Sequence, residues 1–413
     1  MIAKGVAAAK EMVVAQTFGT GSVVDAYLFV FNLIMMPAAL WYSIAIAVVI
    51  PLDGRLRNSA PAEERRFRGE LLGAVVLLGF ATGLVVWLAL RLLLDFSTLG
   101  LEAETHRHAV TAVNYLAFAV PLGLAANSGS VLLMSRGRHA NSLLEGMPAL
   151  VLLGALLLWS VGGLQVLLWG TLAGFAAQLV ITMLLLGREA PRPRFGFASP
   201  AWAEFRAGAG IMFATQLLMA LTTVVDQFFA ADMAGGSIAT LGYATRIQAL
   251  FLALGATAIG RAILPVFVRM KASDPDALYH VARRWTWLLF ASGTGAVLLI
   301  WPFAEHIVRL LFERGAFTTD DTREVTEVLR WSLTQLPFYF AMITASQLLY
   351  SVARYRLAAW LAFAGLILKL SLSFILVGPL GLVGLVVSTT AMQAFSCGVL
   401  LWTLRTRQPK ARE

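Results

Sequence analysis

Apolar residues along this chain occur in long blocks, separated by short polar segments that carry most of the charge. The blocks are roughly 20 residues or more, the length a helix needs to cross a hydrocarbon core of about 30 Å. Backbone groups find no water in lipid, and the blocks are too long and too uniformly apolar for barrel strands. The pattern therefore predicts an all-α polytopic membrane protein with about twelve transmembrane helices. The predicted spans are 2–18, 24–52, 70–94, 109–134, 142–161, 164–186, 207–231, 238–268, 285–309, 324–350, 357–377 and 380–403.

The composition excludes a water-soluble fold. Hydrophobic residues make up 59% of the 413 residues and charged residues only 13%, whereas soluble domains carry roughly 25% charged residues. The net charge of +9 would suit nucleic acid, but the basic residues lie in short loops rather than on one polar face or tail. Membrane lipids are the expected surroundings, and no nucleic-acid partner is expected.

The placement of lysine and arginine predicts the orientation of the chain in the plasma (inner) membrane. With the N-terminus inside, 22 of the 32 basic residues fall in cytoplasmic segments, in agreement with the positive-inside rule. Both termini are therefore predicted to be cytoplasmic. The first span has Lys10 and Glu11 in its middle and lacks a small-residue cleavage site, so we expect it to be retained.

An internal repeat relates the two halves of the sequence. Pro121 and Pro337 stand 216 residues apart, and Arg138 and Arg354 keep the same offset. A single offset held over three spans indicates two six-helix repeats. Because six is an even number, both repeats enter the membrane in the same direction, which predicts a pseudo-twofold axis along the membrane normal.

The repeat predicts two bundles and a linker. The N-terminal six-helix bundle is expected over 1–190, a cytoplasmic linker over 191–206, and the C-terminal bundle with its basic tail over 207–413. Such a pair encloses a central cavity, and rocking of one bundle against the other would give alternating access.

Basic residues at membrane depth are candidates for function, because burying a charge at a helix centre costs at least ~2.5 kcal/mol. Arg246 could hold an anionic head group, although an arginine snorkelling to the outer interface is the competing interpretation. Lys10 is half a span deep, and an ion pair with the adjacent Glu11 competes with substrate binding. Arg261 lies near the cytoplasmic end of the same helix as Arg246, where snorkelling is slightly favoured. Lys369 lies mid-span, where a partner within the bundle competes with ion coupling or substrate.

Two acidic residues also lie in apolar blocks. Asp25 opens the second span and Asp226 lies within the seventh. Each could be a helix cap, a cation site or a partner for a buried base. Capping is favoured for Asp25, whereas Asp226 lies deeper and is the stronger candidate for ion coupling.

Enzymatic and metal chemistry find little support in the sequence. His106 and His108 lie in an outer loop without a third ligand nearby, and Cys397 is the single cysteine. The chain carries neither a nucleotide-binding P-loop nor a catalytic serine motif. We therefore expect a protein that is not an enzyme and uses no metal and no cofactor.

Several segments resemble the MurJ/MviN family of lipid II flippases, within the multidrug/oligosaccharidyl-lipid/polysaccharide exporter superfamily. They are Lys10-Glu11 with Phe18-Gly19-Thr20-Gly21 and Asp25-Ala26-Tyr27, Val225-Asp226 through Arg246 to Pro265, Leu310 to Phe317 with Asp321-Thr322, and Gly378 to Gly384. The resemblance runs from the first span to the last, and Glu313-Arg314-Gly315-Ala316-Phe317 is its most specific piece.

The resemblance implies two six-helix bundles with a cationic cavity for a pyrophosphate-linked sugar head group. Arg246 matches one cavity arginine of the family, and Lys10 stands where the family has another. Gln16 occupies the place of a further arginine, and Thr245 replaces the acid beside Arg246. The family's basic pair in the second helix is missing, since no basic residue lies between Lys10 and Arg55. Twelve spans are predicted, where the resemblance implies fourteen.

Three functions remain open from the sequence. The first is a flippase for a polyprenyl-pyrophosphate-linked oligosaccharide such as lipid II, in peptidoglycan or polysaccharide biosynthesis. The second is a cation-coupled multidrug exporter of the same superfamily. The third is a non-transporting scaffold that binds envelope-synthesis proteins.

Overall fold

The computed structural model describes residues 2–96, 100–137, 141–159, 162–273, 275–351 and 355–406. Side chains are described within these ranges except at 2, 141–142, 211, 258–280, 345–351, 355–356, 358 and 404–406. The helical content is 88%, and the described ranges contain no strand. An all-α fold is therefore confirmed.

Seventeen α-helices occur among the described residues. They are α1 Ile2–Phe18, α2 Ser22–Ile34, α3 Met36–Ser59, α4 Pro61–Phe96, α5 Ala103–Leu116, α6 Ala119–Ser135, α7 Asn141–Leu144, α8 Met147–Leu158, α9 Leu164–Leu186, α10 Ala201–Ala231, α11 Ser237–Ser273, α12 Pro275–Ile300, α13 Ala304–Phe312, α14 Thr319–Leu333, α15 Leu336–Ser351, α16 Tyr355–Leu380 and α17 Leu382–Thr406.

Within the described ranges, eight helices are long and apolar enough to cross a membrane, or nine if α5 and α6 count as one bent span. A polytopic membrane protein is therefore confirmed, whereas the count of twelve spans and the two repeats stay predictions. Three predicted spans, 2–18, 142–161 and 324–350, fall on helices of 17 residues or fewer, such as α8 with 12. The predicted span 24–52 is divided between α2, with 13 residues, and α3.

Three prolines that lie inside predicted spans each stand in the first turn of a new helix. Pro37 follows the break at Met35 between α2 and α3, Pro121 lies at the start of α6, and Pro337 at the start of α15. Proline lacks an N–H group, which a first turn does not need, so a helix can restart there at little cost. The break before Pro121 bends α5 against α6 by 48°.

The chain divides into two compact units. The first unit comprises Met1–Ala239 together with Arg314–Phe317, and the second comprises Thr240–Glu313 and Thr318–Glu413. In the first unit α3 packs against α6 and α10, and α8 packs against α9. In the second unit α12 packs against α15, and α16 against α17. The bundle boundaries predicted at 190 and 207 stay predictions.

A buried ion network joins the ends of α3, α4 and α6 in the first unit. The Arg68 guanidinium donates to both oxygens of Asp53, at 2.5 and 2.6 Å, and its Nη2 lies 3.2 Å from Glu64 Oε1. Arg136 bridges Glu64 at 2.9 Å and Glu189 at 3.2 Å. Asp53, Glu64 and Arg68 are each less than 5% exposed. The basic residues that the sequence assigns to cytoplasmic loops thus include members of a structural network.

The second unit contains a capped outer helix. Thr318 precedes α14, and its hydroxyl accepts from the Asp321 N–H at 3.2 Å while the Asp321 carboxylate accepts from the Thr318 N–H at 2.6 Å. This reciprocal capping box satisfies two backbone donors. Asp321 therefore belongs to the start of α14.

Removing one partner of the buried network should destabilise the fold. Asp53→Ala leaves Arg68 buried without its bidentate acceptor, so we expect the free energy of unfolding to fall by about 3 to 5 kcal/mol. Denaturant unfolding of the purified protein in mixed micelles measures the change. Arg323→Ala is the control, because Arg323 pairs with Asp320 at the surface with both side chains more than 70% exposed, and surface pairs stabilise little. Equal free energies of unfolding for Asp53→Ala and the parent protein would show that the pair of Asp53 with Arg68 does not stabilise the fold.

Candidate functional site

Lys10 and Glu11 form an ion pair on α1 in the first unit. Their side chains are 14% and 12% exposed, so both charges are largely removed from solvent. Adjacent helical residues point in different directions, and the pair closes because the lysine side chain is long and flexible. The structure therefore contains the local ion pair that the sequence offered as the alternative to substrate binding by Lys10. A paired ammonium can still bind an anion, because it carries three donors.

Gln16 lies near the end of α1 with its side chain exposed. Its backbone carbonyl accepts from the Ala316 N–H at 2.8 Å. The approach requires glycine at position 315, where φ is +59° and an added Cβ would lie 2.4 Å from the Gln16 oxygen. The hallmark segment of the family resemblance, Arg314–Phe317, therefore packs by its backbone on the end of α1 within the first unit.

Glu313 precedes that segment in the second unit and has three polar partners. Its carboxylate accepts from the Thr322 hydroxyl at 2.8 Å, from Arg309 Nε at 3.3 Å and from the Thr319 hydroxyl at 3.4 Å. The hydrogen bond from Thr322 is the main reason that the pKa of this carboxyl is lowered, and Arg309 acts in the same direction. The side chain of Glu313 thus helps to fix the start of α14.

Asp25 caps a helix other than its own. Its side chain is 2% exposed, and its Oδ2 and Oδ1 accept from the backbone N–H groups of Gly236 and Ala239 at 2.6 and 2.7 Å. These donors belong to the first turn of α11, where four N–H groups lack partners within the helix. A carboxylate there also complements the positive end of the helix dipole. Asp25 thus caps a helix, as the sequence favoured, but the helix is α11 and not α2, whose N-cap Gly21 has no side-chain cap.

Asp226 lies on α10 in the first unit. The residue is half-buried and its Oδ1 atom is fully buried. Its neighbour Gln227 is 5% exposed, and Phe228 packs edge-on against Phe29 with ring centroids 6.2 Å apart. A carboxylate in such a partly buried position in a membrane helix is costly.

Arg246 lies on α11 in the second unit and is half-buried. Its Nη1 atom is fully buried. One turn earlier, the fully buried Tyr243 packs on Phe312 with ring centroids 4.9 Å apart, which fixes this face of α11. Thr245 stands in the place of the family's acid, and its hydroxyl donates to the Leu241 carbonyl of its own helix at 2.8 Å.

Lys369 is buried within the second unit. The residue is 1% exposed, and its Nζ donates to the Thr389 hydroxyl of α17 at 2.8 Å. The Thr389 hydroxyl donates in turn to the Leu385 carbonyl at 3.0 Å. A lysine in the bundle interior is expected to find partners there, as the sequence suggested. The side chain of Arg261 lies outside the described residues.

The candidate residues belong to both units. Lys10, Gln16, Asp25 and Asp226 lie in the first unit, and Arg246 and Lys369 in the second. Within the first unit, Lys10 pairs with its neighbour while Asp25 binds the start of α11. The described residues contain no group of three His, Cys, Asp or Glu side chains placed to hold a metal ion.

Sequence reasoning missed the acids of the buried ion network. Glu64 and Arg68 stand four residues apart on α4, as do Arg66 and Glu70. This i,i+4 spacing of opposite charges was a signal available in the sequence. The bidentate acceptor Asp53 lies on another helix, so only the packing reveals it.

Many apolar spans define a polytopic membrane protein, and charged side chains within those spans are typical of transporters. The family model described as "Lipid II flippase MurJ" matches residues 14–412. The chain therefore belongs to the MurJ family, whose members are transporters rather than enzymes. It is a multi-pass protein of the inner membrane.

Individual relatives agree with this assignment. The chain is 24% identical to "Probable lipid II flippase MurJ" of Synechocystis sp. over 98% of its length and 80% of that protein. It is 31% identical to the protein of the same name from Helicobacter pylori, over 42% of this chain and 38% of that one.

Two solved structures share the fold. "Lipid II flippase MurJ, inward closed conformation" matches with a TM-score of 0.83 and 18% identity, over 98% of this chain and 86% of that chain. A multidrug resistance MATE family transporter of the MOP superfamily, in an inward-facing conformation, matches with a TM-score of 0.77 and 15% identity, over 98% and 94%. These likenesses show a shared fold.

The capping role of Asp25 predicts a local change on substitution. Asp25→Ala should release the start of α11 and lower the free energy of unfolding by about 1 to 2 kcal/mol, whereas Asp25→Asn retains an acceptor oxygen and should lose less. Hydrogen exchange of the Gly236 and Ala239 amides measures the release. Asp95→Ala is the matched control, since Asp95 is an exposed acid on α4 paired with Arg91. Slow exchange at both amides in Asp25→Ala would rule out the cap.

Proposed function

We propose that this chain is a flippase that moves lipid II across the plasma membrane by alternating access, in peptidoglycan biosynthesis. The family match over residues 14–412 carries the proposal, because it covers nearly the whole chain of 413 residues. The substrate is an amphiphile with an anionic polyprenyl-pyrophosphate and a sugar head group, and membrane lipids surround the protein. The energy source is an ion gradient, the membrane potential or the substrate gradient.

The basic residues at membrane depth are assigned to the head group. Arg246 and Lys10 contact the pyrophosphate, and Gln16 and Arg261 line its path. An arginine suits this task because its planar fork of N–H donors matches phosphate oxygens. The half-buried position of Arg246 supports the assignment, since partial desolvation strengthens a charge-assisted hydrogen bond. Asp25 acts on the substrate path through the start of α11.

Asp226 and Lys369 are assigned to ion coupling. Both are ionisable groups in membrane helices, and Lys369 is buried. Both chain termini lie in the cytoplasm, and the linker predicted at 191–206 connects the two predicted bundles along the sequence. Envelope-synthesis proteins are the proposed partners.

A cation-coupled drug exporter is not favoured. The likeness to MATE transporters is at 15% identity, which supports a shared fold and no more, whereas the family match is to flippases. Proton or sodium flux stimulated by a drug, without rescue of a flippase-depleted cell, would favour the exporter.

Arg246 provides the sharpest test of the flippase. Loss of a charge-assisted hydrogen bond should weaken head-group binding by about 10- to 100-fold, so Arg246→Ala should fail to rescue a bacterium depleted of its own lipid II flippase. Survival and exposure of lipid II on the outer leaflet are scored together. Arg246→Lys should retain part of the activity, and Arg323→Ala, an exposed arginine on α14, should rescue fully.

If the parent chain reaches normal levels in the membrane but does not rescue the depleted bacterium, the proposed substrate becomes another polyprenyl-linked sugar. Full translocation by Arg246→Ala at normal membrane levels would show the residue assignment to be wrong.

Lys10 needs a double substitution, because its pairing with Glu11 confounds a single one. Lys10→Met leaves Glu11 without its cation, whereas Lys10→Met with Glu11→Leu removes both charges. If Lys10 binds the head group, translocation in vesicles should fall about tenfold or more in both variants. Recovery of translocation in the double variant would instead assign Lys10 to the local ion pair alone.

A further inference from the structure

An extended segment, residues 190–200, lies along α4 in the first unit, and we call it the strap. The Arg194 N–H donates to the Gly69 carbonyl at 2.9 Å. At Gly73, one turn further along α4, an added Cβ would lie 2.2 Å from the Arg194 carbonyl oxygen. Glycine is therefore required for the backbone of the strap to approach the helix so closely.

Glu70, between these two glycines, binds the end of the strap and the start of α10. Its carboxylate is 4% exposed and accepts from the Ser199 N–H at 3.0 Å and from Trp202 Nε1 at 2.8 Å. Arg66 Nε lies 3.0 Å from the other oxygen. The Ser199 hydroxyl also donates to Glu63. Each of these bonds has a charged partner, the stronger class of hydrogen bond.

Aromatic side chains extend the attachment to α10. Trp202 packs edge-on against Phe67 of α4, with ring centroids 5.4 Å apart, and against Phe197 of the strap at 5.0 Å. Phe205 lies 6.3 Å from Phe67 and 6.2 Å from Trp41 of α3. Phe67, Trp202 and Phe205 are buried. The first two turns of α10 are thus packed into the core of the first unit.

The other end of the strap is fixed by charge. Glu189, immediately before it, pairs with Arg136 at 3.2 Å, and Arg136 pairs with the buried Glu64 at 2.9 Å. Polar bonds therefore hold the chain to α4 and α6 immediately before and at the end of the strap. A free tether would instead have a solvated backbone and few such contacts.

We propose that the strap and α10 stay fixed to α4 throughout the transport cycle, so that the strap is not the joint at which the two halves move. The inference rests on the proposed function only because it assumes that the protein passes through a transport cycle. If the strap stays fixed, α10, which carries Asp226, moves together with α4.

Cross-linking tests whether the strap must move. In a Cys397→Ala background, which removes the single native cysteine, Glu63→Cys and Ser199→Cys are joined by a short bis-methanethiosulfonate linker, because a cysteine at 63 is shorter than the glutamate that reaches Ser199. Lipid II translocation in proteoliposomes is compared before and after cross-linking, and after reduction. A fixed strap keeps the cross-linked rate within about twofold of the reduced rate. Each single-cysteine variant, treated with the same reagent, is the control.

Loss of translocation on cross-linking, restored by reductant, would overturn the proposal, because the strap would then have to leave α4 in each cycle. If the Cys397→Ala parent moves no lipid II at all, the proposed function has failed instead. In that case the strap is judged by hydrogen exchange alone, which needs no substrate.

Hydrogen exchange on the full chain gives the second measurement. In the parent, the amides of Arg194 and Ser199 should exchange slowly despite the exposed side chains around them. Gly73→Ala should raise exchange at Arg194 by about tenfold or more, since the added Cβ displaces the strap. Gly54→Ala is the matched control, because nothing lies within 4 Å of a Cβ at that helical glycine. Fast exchange in the parent, or slow exchange retained in Gly73→Ala, would contradict a fixed strap.

Discussion

The hydrocarbon core of the membrane supplies no hydrogen-bond partner, and the structure of this chain depends on that constraint. Backbone groups are satisfied by helix formation, and the breaks occur where proline starts a new helix. Where α11 begins, the orphan N–H groups bind a carboxylate from α2. Where Lys369 is buried, its ammonium donates to a threonine of the neighbouring helix. Polar groups within the apolar spans thus connect one helix with another.

Charged side chains fall into two groups with different roles. At the ends of α3, α4 and α6 they form a buried network of both signs, which fixes those helices against each other. Buried ion pairs give specificity of arrangement more readily than net stability. Within the apolar spans, Lys10, Asp226 and Arg246 keep partly accessible surface, and Lys10 pairs with Glu11. Partly accessible charges can bind and release a ligand, whereas the buried network holds its helices in one arrangement.

Family membership and the particular residues of this chain together define its chemistry. Arg246 and Lys10 keep two of the cationic positions that the family resemblance implies, whereas Gln16 is neutral and Thr245 bonds to its own helix. Under the proposed function, the remaining cations therefore carry more of the head-group binding. The hallmark segment Arg314–Phe317 packs on the end of α1 through backbone atoms, so the glycine at 315 reflects a close backbone approach.

The sequence by itself determined the all-α polytopic class and the positions of most spans, because the length of an apolar block is a property of neighbouring positions. It also marked Asp25 as a cap and Lys369 as a buried cation with a partner in the bundle. Only the tertiary structure decided which helix Asp25 caps, that Thr389 accepts from Lys369, that Arg68 binds Asp53, and that Glu70 holds the strap on α4. These partners lie far apart in sequence, and their meeting depends on how whole helices pack, which no local pattern encodes.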